Sequence, residues 1–211
     1  MLMSFPYHLY LVISEESCGG RKITDVAEKA ISGGVDIVQL REKHLTSKAF
    51  IENSLNLQEV LQKHNVPLII NDNIEVAKAI GAFGIHVGNN DMAPTEIKKS
   101  WKKSHCLGYS IEYLEQLETE ETKVSDYLGV SPVFSTSTKT DTVTEWGLEG
   151  ISKIRTLTTK PLVAIGSMKK ENAYDVIKAG ADCIAVVSAI CQAKDPEQAA
   201  WELRNQIEKA L

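Results

Sequence analysis

Three polar side chains alternate along Val38-Gln39-Leu40-Arg41-Glu42-Lys43, at the end of an otherwise apolar run. Side chains two apart on a strand share a face, so Gln39, Arg41 and Lys43 point one way, and Leu40 and Glu42 the other. Two cations and an amide donor beside a core carry a desolvation cost that an anionic ligand would offset. A solvated strand end gives the same pattern, so this segment alone leaves both readings open.

Carboxylates come next. Asp72 sits in Asn71-Asp72-Asn73 directly after an apolar run, and Asp91 lies four residues past another. Taken singly, Asp72 reads equally as an Asx turn or helix cap, and Asp91 as part of the approach to a helix begun by Pro94. Taken with the cations, the pair suits Mg²⁺, a hard ion that binds one or two carboxylates together with phosphate oxygens and water.

Three further segments suit phosphate. The stretch 135–142 holds Thr136, Thr138 and Lys139 in a hydroxyl-rich loop long enough to close over a substrate. Gly166-Ser167 and Val187-Ser188 end the last two apolar runs, where backbone N–H groups and a short helix often hold phosphate in barrels. Ser14 and Ser110 occupy equivalent strand ends. His86, inside an apolar run, reads as a hydrogen-bonded core histidine, since no nucleophile–base pair surrounds it.

The elements that must position these groups recur regularly. Apolar runs fall at 8–13, 36–40, 67–70, 84–87, 105–109, 127–131, 161–165 and 183–187. Helical periodicity separates them: Phe50, Leu57 and Leu61 mark one apolar face, Ala173, Val176, Ile177 and Gly180 another, and Ala199, Leu203 and Ile207 a third, with Trp201 assigned to the same packing face. Ala93-Pro94 and Asp195-Pro196 place Pro at the first helical position. Alternating strands and helices imply right-handed βαβ units and a parallel sheet. Eight units in 211 residues fit a single (β/α)₈ TIM barrel spanning residues 1–211, with the site at the strands' C-terminal ends.

Apolar residues make up 43% of the chain, enough for a substantial core, and the net charge of -5 argues against a nucleic-acid surface. No apolar run reaches the roughly 20 residues of a membrane span. Residues 1–13 lack a basic start and a small-residue cleavage site, and read as the first strand rather than a signal peptide. Cys18, Cys106, Cys183 and Cys191 form neither a zinc site nor a disulfide framework, which points to the cytoplasm. Self-association is left open.

In order, VQLREK, IINDN, GIHVGNNDM, LGYS, GVSPVFSTSTKTD, AIGSM and AVVSAI resemble the thiamine phosphate synthase family, over residues 9–196. The resemblance implies a compact (β/α)₈ barrel that joins hydroxymethylpyrimidine diphosphate to hydroxyethylthiazole phosphate, releasing pyrophosphate with Mg²⁺. By position it implies Asp72 and Asp91 as metal ligands. Gln39, Arg41, Lys43, Asn71, Ser110 and Lys139 become diphosphate-binding residues, with Arg41, Ser110 and Lys139 as the catalytic groups. Thr136, Thr138, Gly166, Ser167, Val187 and Ser188 fall to the thiazole phosphate. The implied mechanism is dissociative, which needs no protein nucleophile, and none is apparent.

The chain departs from the family pattern at Ser167 (usually glycine), at Asn73 (usually arginine) and at Glu112, near which a histidine is usual. The neighbouring thiazole tautomerase branch uses that histidine and tends to lose the Asp pair. A non-catalytic regulatory barrel would have lost metal or diphosphate residues.

Overall fold

The computed structural model describes residues 5–135 and 144–211. Within them, β1 (Leu9–Ile13), β2 (Ile37–Leu40), β3 (Leu68–Asn71), β4 (Gly84–Val87), β5 (Cys106–Ile111), β6 (Tyr127–Val130), β7 (Leu162–Ile165) and β8 (Cys183–Val186) pair in sequence order, all parallel, into a closed barrel. The closing seam pairs Leu9 with Ile184 and Leu11 with Val186. The outer helices are α1 (Ile23–Ser32), α2 (Ser47–Lys63), α3 (Ile74–Ala79), α4 (Pro94–Ser100), α5 (Glu120–Val124), α6 (Gly147–Leu157), α7 (Lys170–Lys178), α8 (Ser188–Cys191) and α9 (Pro196–Ala210). The expected TIM barrel is the fold observed.

Strand alternation divides the apolar residues into two cores. Leu9, Leu11, Val38, Leu40, Ile70 and Ile85 face outward and pack against the helices. Tyr10, Val12, Ile37, Ile69, Tyr127 and Val163 fill the barrel interior. Gln39 is 4% exposed and follows Ile37 on the inward face. β2 ends at Leu40, so Arg41 and Lys43 leave the strand and rise on the loop above it.

The lower rim repeats one device at three strand entrances. Asp36, just before β2, accepts the N–H groups of His8 (3.0 Å) and Leu9 (3.1 Å) and pairs with Arg204 of α9 (2.6 Å). Asp126, before β6, accepts the N–H of Leu107 and pairs with Lys98. Asp182, before β8, accepts the N–H of Leu162 and pairs with Arg155. Each aspartate satisfies the entering backbone of the preceding strand and ties it to an outer helix.

Two helix faces differ from expectation. In α9 the buried positions are Ala200, Leu203, Ile207 and Ala210, while Ala199 is only partly buried and Trp201 is 54% exposed. Trp201 sits one residue past Ala200, about 100° around the helix, which carries it off the packing stripe. Gly180 lies beyond α7, at φ +116°, where it turns the chain towards β8.

Above the seam, a 3₁₀ turn (Glu16–Cys18) meets α8. There the Cys191 thiol donates to the Val12 carbonyl at 3.8 Å, and the neighbouring Cys18 sulfur, followed by burial, pushes the Cys191 thiol up. Arg21 spans the same junction, donating to the carbonyls of Cys18, Cys191 and Ala193. Cys183 is a fully buried interior residue, as its strand setting implied.

Candidate active site

The carboxylates meet where β3 and β4 end. Asp72 follows β3 in the left-handed region (φ +59°), with its N–H donating to the carbonyl of His86 at 2.9 Å. An aspartate adopts this conformation more readily than most residues. The cap of α3 is Asn73, whose side chain accepts the Val76 N–H at 3.0 Å. That leaves the Asp72 carboxylate free of a capping role.

Asp91 does not cap α4 either: the cap residue is Ala93, without a side-chain bond. One Asp91 oxygen instead accepts the Gly88 N–H at 2.8 Å, and the Asp91 N–H returns to the Gly88 carbonyl at 3.3 Å. This closes a four-residue turn that presents Asp91 to Asp72. Burial lifts the Asp72 carboxyl above its ordinary range; Lys43 pulls it back down, and hydrogen-bonding proximity to Asp91 raises it again. Lys43 reaches across from the β2 loop to ion-pair with Asp72.

Two close carboxylates, one desolvated and partly neutralised by a lysine, form a hard oxygen donor set that fits Mg²⁺. Among the described residues no three His, Cys, Asp or Glu side chains cluster as a metal site. Sites of this kind for a hard ion are completed by phosphate oxygens and water.

Below this corner a chain of hydrogen bonds crosses the barrel. Gln39 Nε2 donates to the Tyr10 hydroxyl (3.0 Å), and Tyr10 bonds the Tyr127 hydroxyl (3.0 Å). Tyr127 reaches His86 Nδ1 (3.0 Å), and His86 Nε2 reaches Ser110 Oγ (2.9 Å). Burial pushes both phenols well up, so they remain neutral hydroxyls. The His86 ring also stacks on Tyr127, with centroids 5.5 Å apart.

Gly108 makes this arrangement possible. A Cβ there would lie 2.2 Å from Tyr127 and 2.3 Å from His86. His86 is thus the bonded core histidine its setting implied, and it joins the candidates Gln39 and Ser110 through tyrosines that spacing did not reveal. Asn71, 7% exposed, ends β3 on the inward face with no side-chain partner among the described residues.

Across the mouth of the barrel, on the same rim, Gly166 (φ +114°) and Ser167 (φ +51°) follow β7. A Cβ at Gly166 would meet Pro132 at 2.7 Å, so only glycine lets these loops approach so closely. Ser167 turns its hydroxyl onto the Ser135 carbonyl, and its own carbonyl accepts from Asn172 at 3.0 Å. Val187 precedes α8 and Ser188, exposed, begins it. No direct bond joins this side of the rim to the carboxylate corner among the described residues. The Arg41 backbone N–H is fixed on the Ile13 carbonyl at 2.9 Å. Thr136, Thr138 and Lys139, with the loop closure expected of them, lie outside the described residues.

A closed barrel of eight parallel strands with helices between them is a (β/α)₈ protein, and its polar candidates gather at the strands' C-terminal ends, where such barrels customarily carry their sites. The chain matches the family model described as thiamine monophosphate synthase over residues 9–190, and it belongs to that family. It is 48% identical, over 95% of its length and 91% of the relative's, to a thiamine-phosphate synthase of Albidiferax ferrireducens. A thiamine-phosphate synthase of Leptospira biflexa is 45% identical over 94% of this chain and 96% of its own. Among solved structures, a thiamine phosphate pyrophosphorylase from Pyrococcus furiosus superposes with a TM-score of 0.88 at 32% identity, covering 98% of both chains. A 3-hexulose-6-phosphate synthase, at 19% identity and a TM-score of 0.67 over 94% of this chain and 99% of its own, shares the fold.

Proposed function

We propose that this chain is a thiamine-phosphate synthase, a transferase that joins hydroxymethylpyrimidine diphosphate to hydroxyethylthiazole phosphate and releases pyrophosphate. The observation that carries the reading is the Lys43–Asp72–Asp91 corner, on a chain of this family. Asp72 and Asp91 would hold Mg²⁺. When bound, it neutralises negative charge on the diphosphate oxygens.

The protein's own groups do the rest. Arg41 and Lys43, on the loop above β2, bind the diphosphate and stabilise the charge that develops as pyrophosphate departs. A methylene cation stabilised by the aminopyrimidine is left, and the thiazole nitrogen attacks it. Gln39 and Ser110, fixed at the two ends of the interior hydrogen-bond chain, contribute with Asn71 to the diphosphate end of the site. Gly166, Ser167, Val187 and Ser188 hold the thiazole phosphate, mainly through backbone N–H groups. Thr136, Thr138 and Lys139 are assigned by family position: the threonines to the thiazole phosphate, and Lys139 to the diphosphate. Positioning and charge stabilisation suffice for this chemistry, so no protein nucleophile is required.

Glu112 stands where the tautomerase branch would place its histidine, and both aspartates are present, which favours the synthase. Four free, buried cysteines and a biosynthetic reaction on phosphorylated small molecules suit the cytoplasm. No helix among the described residues is long and apolar enough to cross a membrane. The test is to mix both substrates with Mg²⁺ and follow thiamine phosphate and pyrophosphate. Equimolar formation supports the reading, and isomerisation of a thiazole carboxylate phosphate without coupling would replace it.

A further inference from the structure

Gln116 uses every hydrogen-bonding site of its amide to tie two active-site loops together. It projects from a 3₁₀ turn (Leu114–Glu118) after β5. Its Oε1 accepts the backbone N–H groups of Glu112 (2.6 Å) and Tyr113 (2.9 Å). Its Nε2 donates to Asn89 Oδ1 (2.5 Å) and to the Tyr109 hydroxyl (2.9 Å). Tyr109, 7% exposed on β5, in turn donates to the same Asn89 oxygen at 2.6 Å. A primary amide offers two acceptor directions and two N–H donors, so none is left over for solvent.

Asn89 belongs to the turn closed by Gly88 and Asp91. Pinning its side chain therefore fixes a four-residue unit that is otherwise exposed, since Asn89, Asn90 and Asp91 are all surface residues. Because Gly88 occupies one Asp91 oxygen, the direction of the other depends on how this unit is held.

We propose that Gln116, acting with Tyr109 through Asn89, is a positioning residue that aims Asp91 at the cation held with Asp72. The inference rests on the proposed metal site and adds what presets it. A carboxylate on an exposed turn loses binding strength to its own motion, and outer-shell partners of metal ligands typically contribute 10- to 100-fold in affinity. Cross-bonds from β5 supply that restraint before any ligand arrives. The same amide also holds the backbone at Glu112, so the segment after Ser110 and the Asp91 turn move as one piece.

The experiment titrates Mn²⁺ with inorganic pyrophosphate into the intact protein, reading bound metal by electron paramagnetic resonance, alongside melting temperature and steady-state kinetics. Gln116→Leu and Asn89→Ala should each weaken Mn²⁺ binding about tenfold. The KM for the thiazole phosphate and the melting temperature should stay near wild type. Combining the two should cost little beyond either alone, because both break one link. Asn89→Asp keeps the acceptor oxygen and should restore much of the binding.

Wild-type Mn²⁺ affinity in Gln116→Leu, while Asp91→Asn abolishes binding, would overturn the positioning role and leave the metal site standing. Fully additive losses would overturn it too. Unchanged Mn²⁺ binding in Asp91→Asn would instead remove the metal site itself. If Gln116→Leu is unstable, Gln116→Glu keeps the bonds to the Glu112 and Tyr113 N–H groups and loses the amide donations to Asn89 and the Tyr109 hydroxyl. Weak Mn²⁺ binding in that variant supports the proposal, and wild-type binding overturns it.

Discussion

Lys43 and Asp72 form an ion pair that bridges the loop above β2 and the end of β3, joining one member of the cationic segment to one of the two carboxylates. Burial nevertheless holds the Asp72 carboxyl above its ordinary range, so the lysine only partly compensates the charge. The divalent cation proposed for this corner would complete that compensation. Asp72→Asn and Asp91→Asn should each lower kcat/KM by about 2–4 kcal/mol of transition-state stabilisation, or roughly 30- to 1000-fold. Metal-free assays in EDTA should show no turnover; a near wild-type Asp72→Asn enzyme would remove the metal from the reaction.

The two phosphates should separate by mutation. Arg41→Ala is expected to slow pyrophosphate departure and weaken the pyrimidine diphosphate. Ser188→Asp should raise the KM for the thiazole phosphate selectively by placing like charge at its rim, whereas Ser188→Ala should do little. Steady-state kinetics with each substrate varied in turn checks this, and equal effects on both substrates would contradict the division.

Gly108→Ala tests the interior chain. The added methyl group meets the Tyr127 and His86 rings at contact distances no side chain tolerates, so one ring must move. Overpacking of this kind costs about 1–3 kcal/mol, and here it should also misplace Ser110. Chemical denaturation should show the loss of stability. Activity should fall by more than the unfolded fraction accounts for; a fully active, fully stable variant would show that the chain has slack.

Glu42 provides a pH signature. Burial lifts its carboxyl; a hydrogen bond from the Glu15 N–H (2.8 Å) opposes this, and the Glu15 and Glu16 carboxylates add to it. A raised value means that the folded chain holds the proton more tightly than the unfolded chain. The favourable contribution is therefore complete below the ordinary glutamate range and is lost as pH rises through the lifted value. Glu42→Gln, which keeps an acceptor for the Glu15 N–H, should melt higher than wild type at neutral pH. That gain should shrink to nothing on acidification, and a pH-independent difference would assign the effect to packing.

Much of the barrel was legible because each strand is an apolar run of four to six residues between helical periods, a pattern that survives in one dimension. Asp72 and Asp91 were legible for the same reason, since a residue just past a barrel strand has only one rim to occupy. The interior chain was not. Tyr10 and Tyr127 stand 117 positions apart, and nothing in either strand marks its tyrosine as more than core. Alternation groups Gln39 with Arg41 and Lys43, but the strand stops at Leu40, and the three divide between barrel interior and loop. Gln116 acts 27 positions from Asn89, a pairing that only the closed barrel creates.

Asp36→Ala should separate stability from activity. It leaves the His8 and Leu9 N–H groups without their acceptor and takes one of two carboxylates from Arg204, far from the strand ends where chemistry is expected. The expected cost is about 2 kcal/mol of folding stability, with kcat unchanged below the melting transition. Thermal melts and kinetics on the same preparation check both halves.

The seam between β1 and β8 has a mechanical consequence. His8 is held to the Asp182 carbonyl at 3.1 Å at its lower end, and Arg21 clasps the carbonyls of Cys18 and Cys191 at its upper end. The two strands are parallel, so the chain enters the seam at the bottom of β1 and leaves it at the top of β8. A force applied between residues 8 and 188 slides these strands past each other along their length instead of peeling them apart. Every hydrogen bond of the seam, together with both clasps, then bears the load at once. The barrel resists such a pull in shear, as a single rupture, and does not unzip one rung at a time.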